Sequence, residues 1–599
     1  MHSLRSRVIQ VFFLFVGLVF AAKLFSIQVL STGYRLAAEK NIVQRVEEQP
    51  YRGAIYDRHG ALLVYNEPIY DLMVVPKAVK HLDTLSFCQH LGISLQEFSS
   101  ALHKAKRYSY VKPSVLIKNI DHKSWARVQD HLAEYIGFSV NARTVRKYPH
   151  PMLANTLGYL GEISATQLAS DTACYYKQGD LVGISGLEKW YEAVLRGKRG
   201  IRYKIMDARG LEKGSFKDGA LDDLSVPGQD LTTTIDAKLQ IYGEQLMKNK
   251  TGSIVAIQPS TGEILAMVSS PSYDPNLLTG KNFSTYFAVL EKDSLAPLFN
   301  RPNMAMYPPG SIFKLLQALF ALQEGVIRTG TKYACDKRTV NCHPHPSPTN
   351  LHQAIQYSCN PYFYHVFKKI INQNVSNDVY EDTRIGLEKW GNYVRQFGLG
   401  RQLGIDLPHE KGGYVPDARF YDKLYGPNAW KASTIRSLDI GQGEMLLTPL
   451  QMANLAAIIA NQGYYYTPHL IKKIGDQPIL PTVLKRHTIA IDKTYFDFVA
   501  HAMRSVVSAG PAWRAHMKGI AVCGKTGTAE NPHGEDHSVF MGFAPLEDPQ
   551  IAIAVYVENA GWGSRAATAT AGLMIEKYLK GKISRSWVQD YVLKGDFSH

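Results

Sequence analysis

Residues 307–316 read YPPGSIFKLL, and this stretch decides how the C-terminal half of the chain is interpreted. Ser311 and Lys314 stand three residues apart in it. Residues i and i+3 lie on one face of a helix, so a helix that begins near Ser311 brings the lysine amine within reach of the serine hydroxyl. The preceding Pro-Pro-Gly ends the extended chain just before that start. The spacing predicts a serine nucleophile with a lysine base, whose pKa must be lowered by burial beside another cation.

Two further motifs follow along the chain and add hydroxyl, amide and amine groups. They are Ser358-Cys359-Asn360 and Lys525-Thr526-Gly527-Thr528. S-x-x-K, an S-x-N-like triplet and K-T-G form the set that serine β-lactamases and penicillin-binding proteins share. The order of the three motifs therefore indicates acyl transfer through a serine.

Two of the motifs also occur a second time, so order and context must select between the copies. Ser109 to Lys112 fits S-x-x-K, and we interpret it as a chance match. Lys250 begins a second K-T-G, but it stands ahead of Ser311 and closes a predicted helix, whereas Lys525 follows a strand-like run. A single triplet is weak evidence because Ser, Lys and Asn are common in turns. All three motifs occurring in the expected order favour a catalytic role over chance occurrence.

Predicted strands lie at both ends of the region that carries the motifs. Ser253–Gln258 and Glu263–Ser269 are two predicted strands, and a Pro-Ser-Thr-Gly turn joins them. The other predicted elements are helices over 311–325, 351–370, 447–462 and 565–580, and strands over 520–528, 537–544 and 550–557. This arrangement predicts one sheet, built from distant parts of the chain and sandwiched by helices.

The chain ahead of this region predicts a separate domain. Short alternating runs over 62–64 and 70–75 are broken by turn signals, and a helical neck over 31–48 precedes them. The Pro227-Gly228 pair precedes the next alternating run, and we place the boundary there. The fold class is multidomain α+β. The predicted segments are a tail 1–7, an anchor 8–30, a pedestal domain 31–230 and a C-terminal domain 231–599.

Residues 8–30 carry a single charge, Lys23. As a helix they extend about 34 Å, enough to cross a hydrocarbon core of about 30 Å. Two arginines precede the segment, so the positive-inside rule places residues 1–7 in the cytoplasm and the rest outside. The alternative is a cleaved signal peptide, because the unbroken apolar run 11–22 has signal-peptide length. We favour a retained, single-pass anchor since apolar sequence resumes after Lys23.

The composition is that of a globular protein. The 599 residues are 45% hydrophobic and 20% charged, which excludes disorder, collagen and coiled coil as descriptions of the whole chain. The net charge of +15 invites an anionic partner. The basic residues are scattered, however, and no signature of a nucleic-acid-binding module is present, so we predict no nucleic-acid partner.

The motifs, taken with longer stretches around them, resemble one family. From the anchor to about residue 580 the chain is similar to class B penicillin-binding proteins, most of all to the penicillin-binding protein 2 type of the elongation machinery. The stretches are RGAIYDR at 52–58, GISGLEKWYEAVLRGKRG at 183–200, GSIVAIQPSTGEILAMVSSPSYDPN at 252–276, SLDIGQGEMLLTPLQMA at 437–453 and HSVFMGFAP at 537–545. The first two resemble the pedestal, or dimerisation-like, domain of that family. One departure is Ile312, where the family often has Thr.

The resemblance implies a fold and a reaction. The C-terminal domain would be a transpeptidase domain with a central antiparallel sheet sandwiched by helices. Ser311 would attack the penultimate D-Ala carbonyl of a peptidoglycan stem peptide and expel the terminal D-Ala, while Lys314 takes its proton. An amine from a neighbouring strand would then accept the acyl group. β-Lactams mimic D-Ala-D-Ala and would acylate Ser311.

The resemblance also implies roles for the other motif residues. Ser358 would relay a proton toward the leaving amine, and Asn360 would bind Lys314 and the substrate amide. Lys525 would supply the positive field that keeps Lys314 neutral. Substrate would be bound by Thr526, Gly527 and Thr528, with the two threonines on its carboxylate. Backbone N–H groups of Ser311 and Thr528 would form the oxyanion hole.

A cluster of thiols and imidazoles lies between the first two motifs. Cys335, Cys342, Cys359, His343, His345 and His352 fall within one short stretch. Cys₃His is a closed zinc arrangement, and the resemblance implies a zinc site that uses the central residue of the second motif. We predict structural zinc held by Cys335, Cys342, His345 and Cys359, with His343 as the alternate ligand. A Cys335–Cys342 disulfide with Cys359 buried is the other interpretation.

The resemblance finally implies a location and partners. These are the bacterial inner membrane with the catalytic domain in the periplasm, and membrane proteins of the elongation machinery such as a shape- and sporulation-type glycosyltransferase. A β-lactamase or β-lactam sensor is the alternative function because it shares the three motifs. A long pedestal, and no recognisable deacylating Glu soon after the second motif, argue against it. A non-enzymatic scaffold is disfavoured by the intact motif set.

Overall fold

The computed structural model describes residues 2–26, 43–80, 82–120, 122–206, 212–280, 283–479 and 485–597. The end of the predicted anchor, 27–30, and most of the predicted neck, 31–42, lie outside these residues. The chain divides into two compact units. One contains Met1–Gly53 and Ala193–Gln229, and the other contains Ala54–Glu192 and Asp230–His599.

The described residues contain both α-helices and β-strands. The α-helices are His2–Phe25, Thr84–Leu91, Leu95–Tyr108, His122–Gln129, Ala154–Leu157, Ala165–Ala169, Gly186–Trp190, Glu192–Leu195, Ala237–Met247, Phe283–Lys292, Arg301–Met304, Lys314–Gln323, Leu351–Gln356, Asn360–Ile371, Val379–Gln396, Ala418–Tyr425, Pro449–Ala460, Lys493–Ser508, Ala566–Lys580 and Ser586–Lys594. The strands outside the central sheet are Val43–Glu48, Ile55–Tyr56, Leu62–Val74, Ser114–Ile120, Phe138–Lys147, Leu160–Glu162, Leu181–Gly183, Gly200–Met206, Glu212–Ser215, Leu231–Thr233, Tyr464–Tyr466, Ile471–Ile474, Gln477–Pro478 and Arg486–Thr488.

The first unit contains the N-terminal helix and a small antiparallel sheet. Within that helix, Arg7–Phe25 has a mean hydropathy of 2.4 and no buried residue. Among the described residues it is the one helix that is long and apolar enough to cross a membrane. The sheet orders Val43–Glu48, Gly200–Met206 and Glu212–Ser215, with Val43 opposite Ile205.

A five-stranded antiparallel sheet is the centre of the second unit. Its strands are β1 (Gly252–Ile257), β2 (Ile264–Ser270), β3 (Cys523–Ala529), β4 (His537–Ala544) and β5 (Ile551–Val557). Their order is β2–β1–β5–β4–β3, so the first and last strands in sequence meet as β1 and β5. Every residue of β1, β2 and β5 is buried, as expected for a sheet covered by helices on both faces. The predicted α+β class and central sheet are confirmed.

Helices from the two ends of the domain meet on this sheet. Ala237–Met247 and Ala566–Lys580 come together at Gly243, where a Cβ would lie 2.9 Å from the Val268 side chain and 3.1 Å from that of Met574. A larger residue at 243 would push these elements apart. The close packing explains how segments remote in sequence build one core.

One long strand replaces two predicted short runs near the N-terminus of this unit. Leu62–Val74 is continuous and pairs with Phe138–Lys147 from Tyr65 to Val74. Asn-Glu-Pro at 66–68 reads as a break in the sequence. The ladder to the neighbouring strand nevertheless continues through Pro68, which is paired with Thr144.

Candidate active site

Ser311 lies in a single turn of 3₁₀-helix, Gly310–Phe313, that runs directly into the α-helix Lys314–Gln323. Ser311 and Lys314 are therefore one turn apart. Gly310 has a φ of +61°, and a Cβ there would lie 2.6 Å from the carbonyl oxygen of Thr528. Only glycine allows this turn to approach strand β3 so closely. The first and third motifs meet at this contact.

Lys314 is completely buried and is held by acceptors from the second motif. Its Nζ donates to the backbone oxygen of Ser358 at 2.8 Å and to Oδ1 of Asn360 at 2.5 Å, and it lies 3.2 Å from Ser358 Oγ. Burial lowers the pKa of Lys314 to about 8, although the nearby carboxylate of Asp439 acts in the opposite direction. A substantial fraction of this lysine is therefore neutral near physiological pH.

Ser358 sits between two helices rather than inside one. The predicted helix over 351–370 is interrupted, because Ser358 adopts the left-handed conformation with a φ of 55° and Cys359 is extended. Pro361 lies in the first turn of the next helix, where a proline is tolerated because its missing N–H has no helical partner. The break turns the Ser358 side chain toward Lys314 and Lys525.

Lys525 is the second buried lysine of the site. Its Nζ donates to Ser358 Oγ at 2.9 Å and to the backbone oxygen of Thr526 at 3.0 Å. Burial, and then the charge of Lys314, lower the pKa of Lys525 well below its usual value. The Ser358 hydroxyl thus lies between two amines that do not readily carry a proton together.

The predicted substrate-binding residues follow on strand β3. Among the described residues this strand has no neighbour on its outer side, because it ends the sheet. Thr528 Oγ1 accepts a hydrogen bond from the Gly563 backbone N–H at 3.2 Å, and its carbonyl accepts one from Gln442 at 3.1 Å. At Gly527 a Cβ would lie 2.9 Å from the Pro309 carbonyl. These contacts hold strand β3 against the 3₁₀ turn that contains Ser311.

The structure also brings in a segment that received no role from the sequence, residues 436–443. Gly441 accepts a hydrogen bond from the Gly310 N–H at 2.9 Å, and Gln317 donates to the Leu438 carbonyl at 3.1 Å. Between these anchors, Asp439 is only 2% exposed. The resemblance had included this stretch, but the buried acid carries no signal in a single sequence.

The second copies of the motifs lie elsewhere. Ser109 and Lys112 form an exposed turn in which the Lys112 N–H donates to Ser109 Oγ at 3.0 Å. Lys250 is buried, and its Nζ donates to the carbonyls of Leu246 at 3.0 Å and Val592 at 2.7 Å. These contacts hold the C-terminal helix, so this K-T-G is structural.

The predicted metal ligands form one cluster. Cys335, Cys342, His345 and Cys359 each offer a ligand atom, and these atoms all lie within 4.8 Å of one another. All six cysteines are free, so the alternative disulfide is not formed. His343 is outside this set of four, with its ring centroid 5.4 Å from that of His345.

The chemistry of the cluster fits zinc. Three thiols and one imidazole are a known tetrahedral set. A hydrogen bond from the Cys359 thiol holds the pKa of Cys342 far below its usual range, and the same bond raises the pKa of Cys359. The cluster therefore favours a thiolate, the form that binds metal. Next to it, the carbonyl of Asn341 accepts a hydrogen bond from Asn360 Nδ2 at 2.8 Å.

Comparisons with known proteins cover both halves of the chain. Residues 252–576 match the family model of the penicillin-binding protein transpeptidase domain, and residues 47–233 match that of the penicillin-binding protein dimerisation domain. The chain is 31% identical over 577 residues to the peptidoglycan D,D-transpeptidase MrdA of Acinetobacter baumannii, covering 89% of this chain and 81% of that protein.

Solved structures agree in fold over most of the chain. A chain from a peptidoglycan synthase complex that coordinates polymerization and crosslinking superposes with a TM-score of 0.73 at 26% identity, covering 97% of this chain and 99% of the other. The penicillin-binding protein PBP2 of Helicobacter pylori, solved in complex with MreC, gives a TM-score of 0.71 at 25% identity, with 90% and 100% covered.

Proposed function

This chain belongs to the penicillin-binding protein transpeptidase family, and we propose that it cross-links peptidoglycan stem peptides through an acyl-enzyme on Ser311 during cell-wall elongation. The observation that carries the proposal is the network in which Lys314, Ser358, Asn360 and Lys525 are hydrogen-bonded beside the helical turn of Ser311.

The geometry at Lys314 supports its role as the base. The Ser358 carbonyl and Asn360 Oδ1 can only accept, so they take the two N–H groups of a neutral amine. The lone pair of that amine is then left for a hydroxyl proton, from Ser311 one turn away or from Ser358. As the Ser311 Oγ–C bond forms, the proton of Ser311 moves to Lys314.

The second step returns that proton to the departing group. Ser358 Oγ lies 3.2 Å from Lys314 and 2.9 Å from Lys525, so it relays a proton from Lys314 to the amine of the leaving D-Ala as the C–N bond breaks. The incoming acceptor amine uses the same groups in reverse. It gives up a proton through Ser358 to Lys314 and forms the new amide bond. As the Ser311 Oγ–C bond breaks, Lys314 returns the proton to Ser311.

Lys525 and strand β3 would orient the substrate. The carboxylate of the terminal D-Ala would be bound by Thr526 and Thr528, with Gly527 between them, and its charge would favour the protonated form of Lys525. The backbone N–H groups of Ser311 and Thr528 would bind the developing oxyanion. Each such donor contributes about 3–4 kcal/mol in other systems.

We propose a structural zinc ion for the cluster of Cys335, Cys342, His345 and Cys359. Bound zinc would tie the loop before the second motif to Cys359, the residue between Ser358 and Asn360. The Asn341 carbonyl, next to Cys342, holds the Asn360 amide directly. The ion would thus stabilise the acceptors of Lys314 without taking part in the chemistry.

We also propose where the protein is located and which molecules it binds. The apolar N-terminal helix supports a single-pass anchor in the bacterial inner membrane, with the pedestal (31–230) and the transpeptidase domain (231–599) in the periplasm. Partners would be stem peptides, β-lactams and membrane proteins of the elongation machinery, including a glycosyltransferase of the shape and sporulation type.

Labelling of the full chain with a fluorescent penicillin tests the reaction. We expect a stable covalent adduct on the wild-type protein and none on Ser311→Ala. Rapid turnover of nitrocefin would instead identify a β-lactamase. Labelling that survives Ser311→Ala, or an unlabelled wild-type protein, would contradict the assignment of the nucleophile.

Metal analysis with Cys359→Ala tests the zinc site. We expect one equivalent of zinc in the wild type, and in the variant a loss of zinc, a lower melting temperature and slower acylation. Cys174→Ala is the matched control because Cys174 is exposed and outside the cluster. A Cys359→Ala protein that keeps its zinc and its melting temperature would remove Cys359 from the set.

A further inference from the structure

Gln442 lies in the turn that follows the 3₁₀-helix Arg436–Ile440. It stands between Gly441 and Gly443, whose φ values of 69° and 72° place both in the left-handed region. Its backbone N–H donates to the Ser437 carbonyl at 3.0 Å. The backbone on both sides of Gln442 is therefore held in one tight turn, which fixes where its side chain begins.

This turn packs on the residue that precedes the candidate nucleophile. The Gly441 carbonyl accepts a hydrogen bond from the Gly310 N–H at 2.9 Å. A Cβ on Gly441 would lie 2.6 Å from the Gly310 carbonyl oxygen and 2.7 Å from the Cβ of Phe313. Only glycine fits between these groups. The turn is thus in direct contact with the 3₁₀ turn that contains Ser311.

The side chain of Gln442 contacts the strand of the third motif. Its Nε2 donates to the Thr528 carbonyl at 3.1 Å. Within the described part of the chain, Thr528 is on an edge strand, because β3 pairs with β4 alone. The side-chain amide therefore supplies the hydrogen bond that a further strand would otherwise give. One turn of the chain holds both the start of the Ser311 helix and Thr528.

The bond to the Thr528 carbonyl also restricts the direction of the Thr528 N–H. The N–H and C=O of one residue in a β-strand point to the same side, because a hydrogen-bonded antiparallel pair exchanges both bonds. The Thr528 carbonyl faces Gln442 on the open side of β3, so its N–H faces that side as well. In the proposed mechanism, the oxyanion is bound by this N–H and by that of Ser311.

We infer that Gln442 is a positioning residue for acyl transfer, which holds Thr528 so that its N–H and the N–H of Ser311 converge on the oxyanion. The inference rests on the proposed function and adds a residue outside the three motifs. The oxyanion forms when the Ser311 Oγ–C bond forms and the C=O electron pair moves onto oxygen. Gln442 acts on that step through Thr528 and takes no part in proton transfer.

Stopped-flow absorbance with nitrocefin on the full chain in detergent separates binding from bond formation. Gln442→Met removes the amide donor and keeps the length of the side chain. We expect the limiting rate constant of acylation to fall about tenfold, less than the roughly 100-fold cost of losing a whole donor, because the Thr528 N–H remains. The dissociation constant of the noncovalent complex should stay within about twofold, since that complex contains no oxyanion.

A second probe reports on the oxyanion directly. Phenylboronic acid forms a tetrahedral anion on a serine hydroxyl and so resembles the intermediate. Its affinity for Gln442→Met should fall by the same factor as the limiting acylation rate, because both depend on the same two N–H groups. A structural defect elsewhere in the protein would not produce this agreement.

Two further variants complete the test. Gln442→Glu should show the same rate loss, since a carboxylate of equal length accepts hydrogen bonds but does not donate them. Gln402→Met is the matched control and should change neither constant, because the Gln402 amide also donates to a backbone carbonyl, that of Glu410, at 2.7 Å. Thermal unfolding verifies that each variant is folded.

Three results would overturn the inference. They are a weaker noncovalent complex with an unchanged limiting rate in Gln442→Met, no change in either constant, and an equal rate loss in Gln402→Met. A wild-type protein that nitrocefin does not acylate would instead refute the proposed function.

Discussion

Ser358 combines a reactive position with an unfavourable backbone conformation. Its φ of 55° places it in the left-handed region, which costs residues with a Cβ roughly 1–2 kcal/mol. The conformation persists because Lys314 and Lys525 both bond to the residue. Under the proposed mechanism, the backbone and the hydroxyl therefore make separable contributions, one to stability and one to catalysis.

Two substitutions at this residue separate the contributions. Ser358→Ala and Ser358→Gly should each slow acylation by penicillin by about 100-fold, because both remove the proton relay. Ser358→Gly should be more stable than Ser358→Ala by roughly 1 kcal/mol, since glycine adopts a positive φ without strain. Acylation rates and urea unfolding measure the two effects. Near wild-type acylation by Ser358→Gly would show that the hydroxyl is dispensable.

Asp439 is a buried acid that acts on the base through its charge. Burial raises the pKa of Asp439 to about 7, and the charges of Lys314 and Arg436 oppose that rise. In return, the carboxylate favours the protonated form of Lys314. The charge of Lys314, for its part, lowers the pKa of Lys525 as a like charge, after burial.

Asp439→Asn should shift the pH dependence of acylation downward. In the proposed mechanism the neutral amine of Lys314 is the base, so the rate should rise as the pH passes the pKa of Lys314, about 8. Removing the carboxylate destabilises the ammonium form and lowers that pKa, so the variant should be faster than the wild type at pH values below it. The second-order acylation constant measured against pH gives the midpoint. An unchanged or higher midpoint would show that Asp439 does not act on Lys314.

Residue chemistry explains which site residues could be predicted. Ser311, Lys314 and Lys525 belong to motifs with a fixed order, and their chemistry demands those residue types. Asp439 and Asn341 have no such signal. Asp439 matters because it is buried near an amine, and Asn341 because its backbone carbonyl binds Asn360. Neither property can be read from a side-chain pattern.

At the scale of elements, the two K-T-G triplets show why position in the sheet decides function. Lys525 lies on edge strand β3, whereas Lys250 precedes β1, which is flanked by β2 and β5. The ammonium group of Lys250 donates its hydrogen bonds to the carbonyls of Leu246 and Val592. The same triplet thus fastens a helix in one place and faces the candidate site in the other.

Lys250→Met should therefore destabilise the protein without impairing the reaction. It leaves two buried carbonyls without their donor, which predicts a loss of about 1–3 kcal/mol in the free energy of unfolding. The acylation constant of the folded protein should match the wild type. Lys525→Met is the comparison and should lose acylation. A catalytic defect in Lys250→Met at low temperature, where the protein remains folded, would contradict the structural role.

Regular elements followed from the sequence more closely than irregular ones. Predicted strands over 537–544 and 550–557 agree with His537–Ala544 and Ile551–Val557, because buried strands are unbroken apolar runs. The predicted helix over 351–370 was wrong at its centre, where Ser358 turns out of the helix. Apolar periodicity continues across that break, and contacts with the two lysines, rather than local preference, maintain it.

At the scale of the whole molecule, the RGAIYDR stretch connects remote parts of the second compact unit. Arg58 donates to Gln258 Oε1 and to Glu263 Oε2, both at 3.0 Å, at the turn between β1 and β2. Both members of the Arg58–Glu263 pair are largely buried. Further along, Tyr191 donates to Asp406 at 2.9 Å. Such contacts explain why residues 54–192 cluster with the chain after 230, which sequence order alone does not reveal.

Arg58→Ala should lower the stability of the full chain by roughly 2 kcal/mol, because it removes the hydrogen bond to the largely buried carboxylate of Glu263 and leaves it only the 3.7 Å ion pair with Lys472. Thermal unfolding in detergent measures the effect. Lys594→Ala is the matched control, since its ion pair with Asp590 is exposed and should contribute little. Equal melting temperatures for the two variants would show that the Arg58 contact does not stabilise the unit.

The strand order of the central sheet has a consequence for biosynthesis. β1 and β2 leave the ribosome early, yet β1 acquires its second neighbour only when β5, the last strand in sequence, has been made. Until then, two strands that are entirely buried in the folded protein have no finished sheet to join. Under the proposed periplasmic location, the chain would cross the translocon with these strands exposed, so periplasmic holdase chaperones should bind truncated chains that end before residue 551 and release chains that extend beyond residue 580.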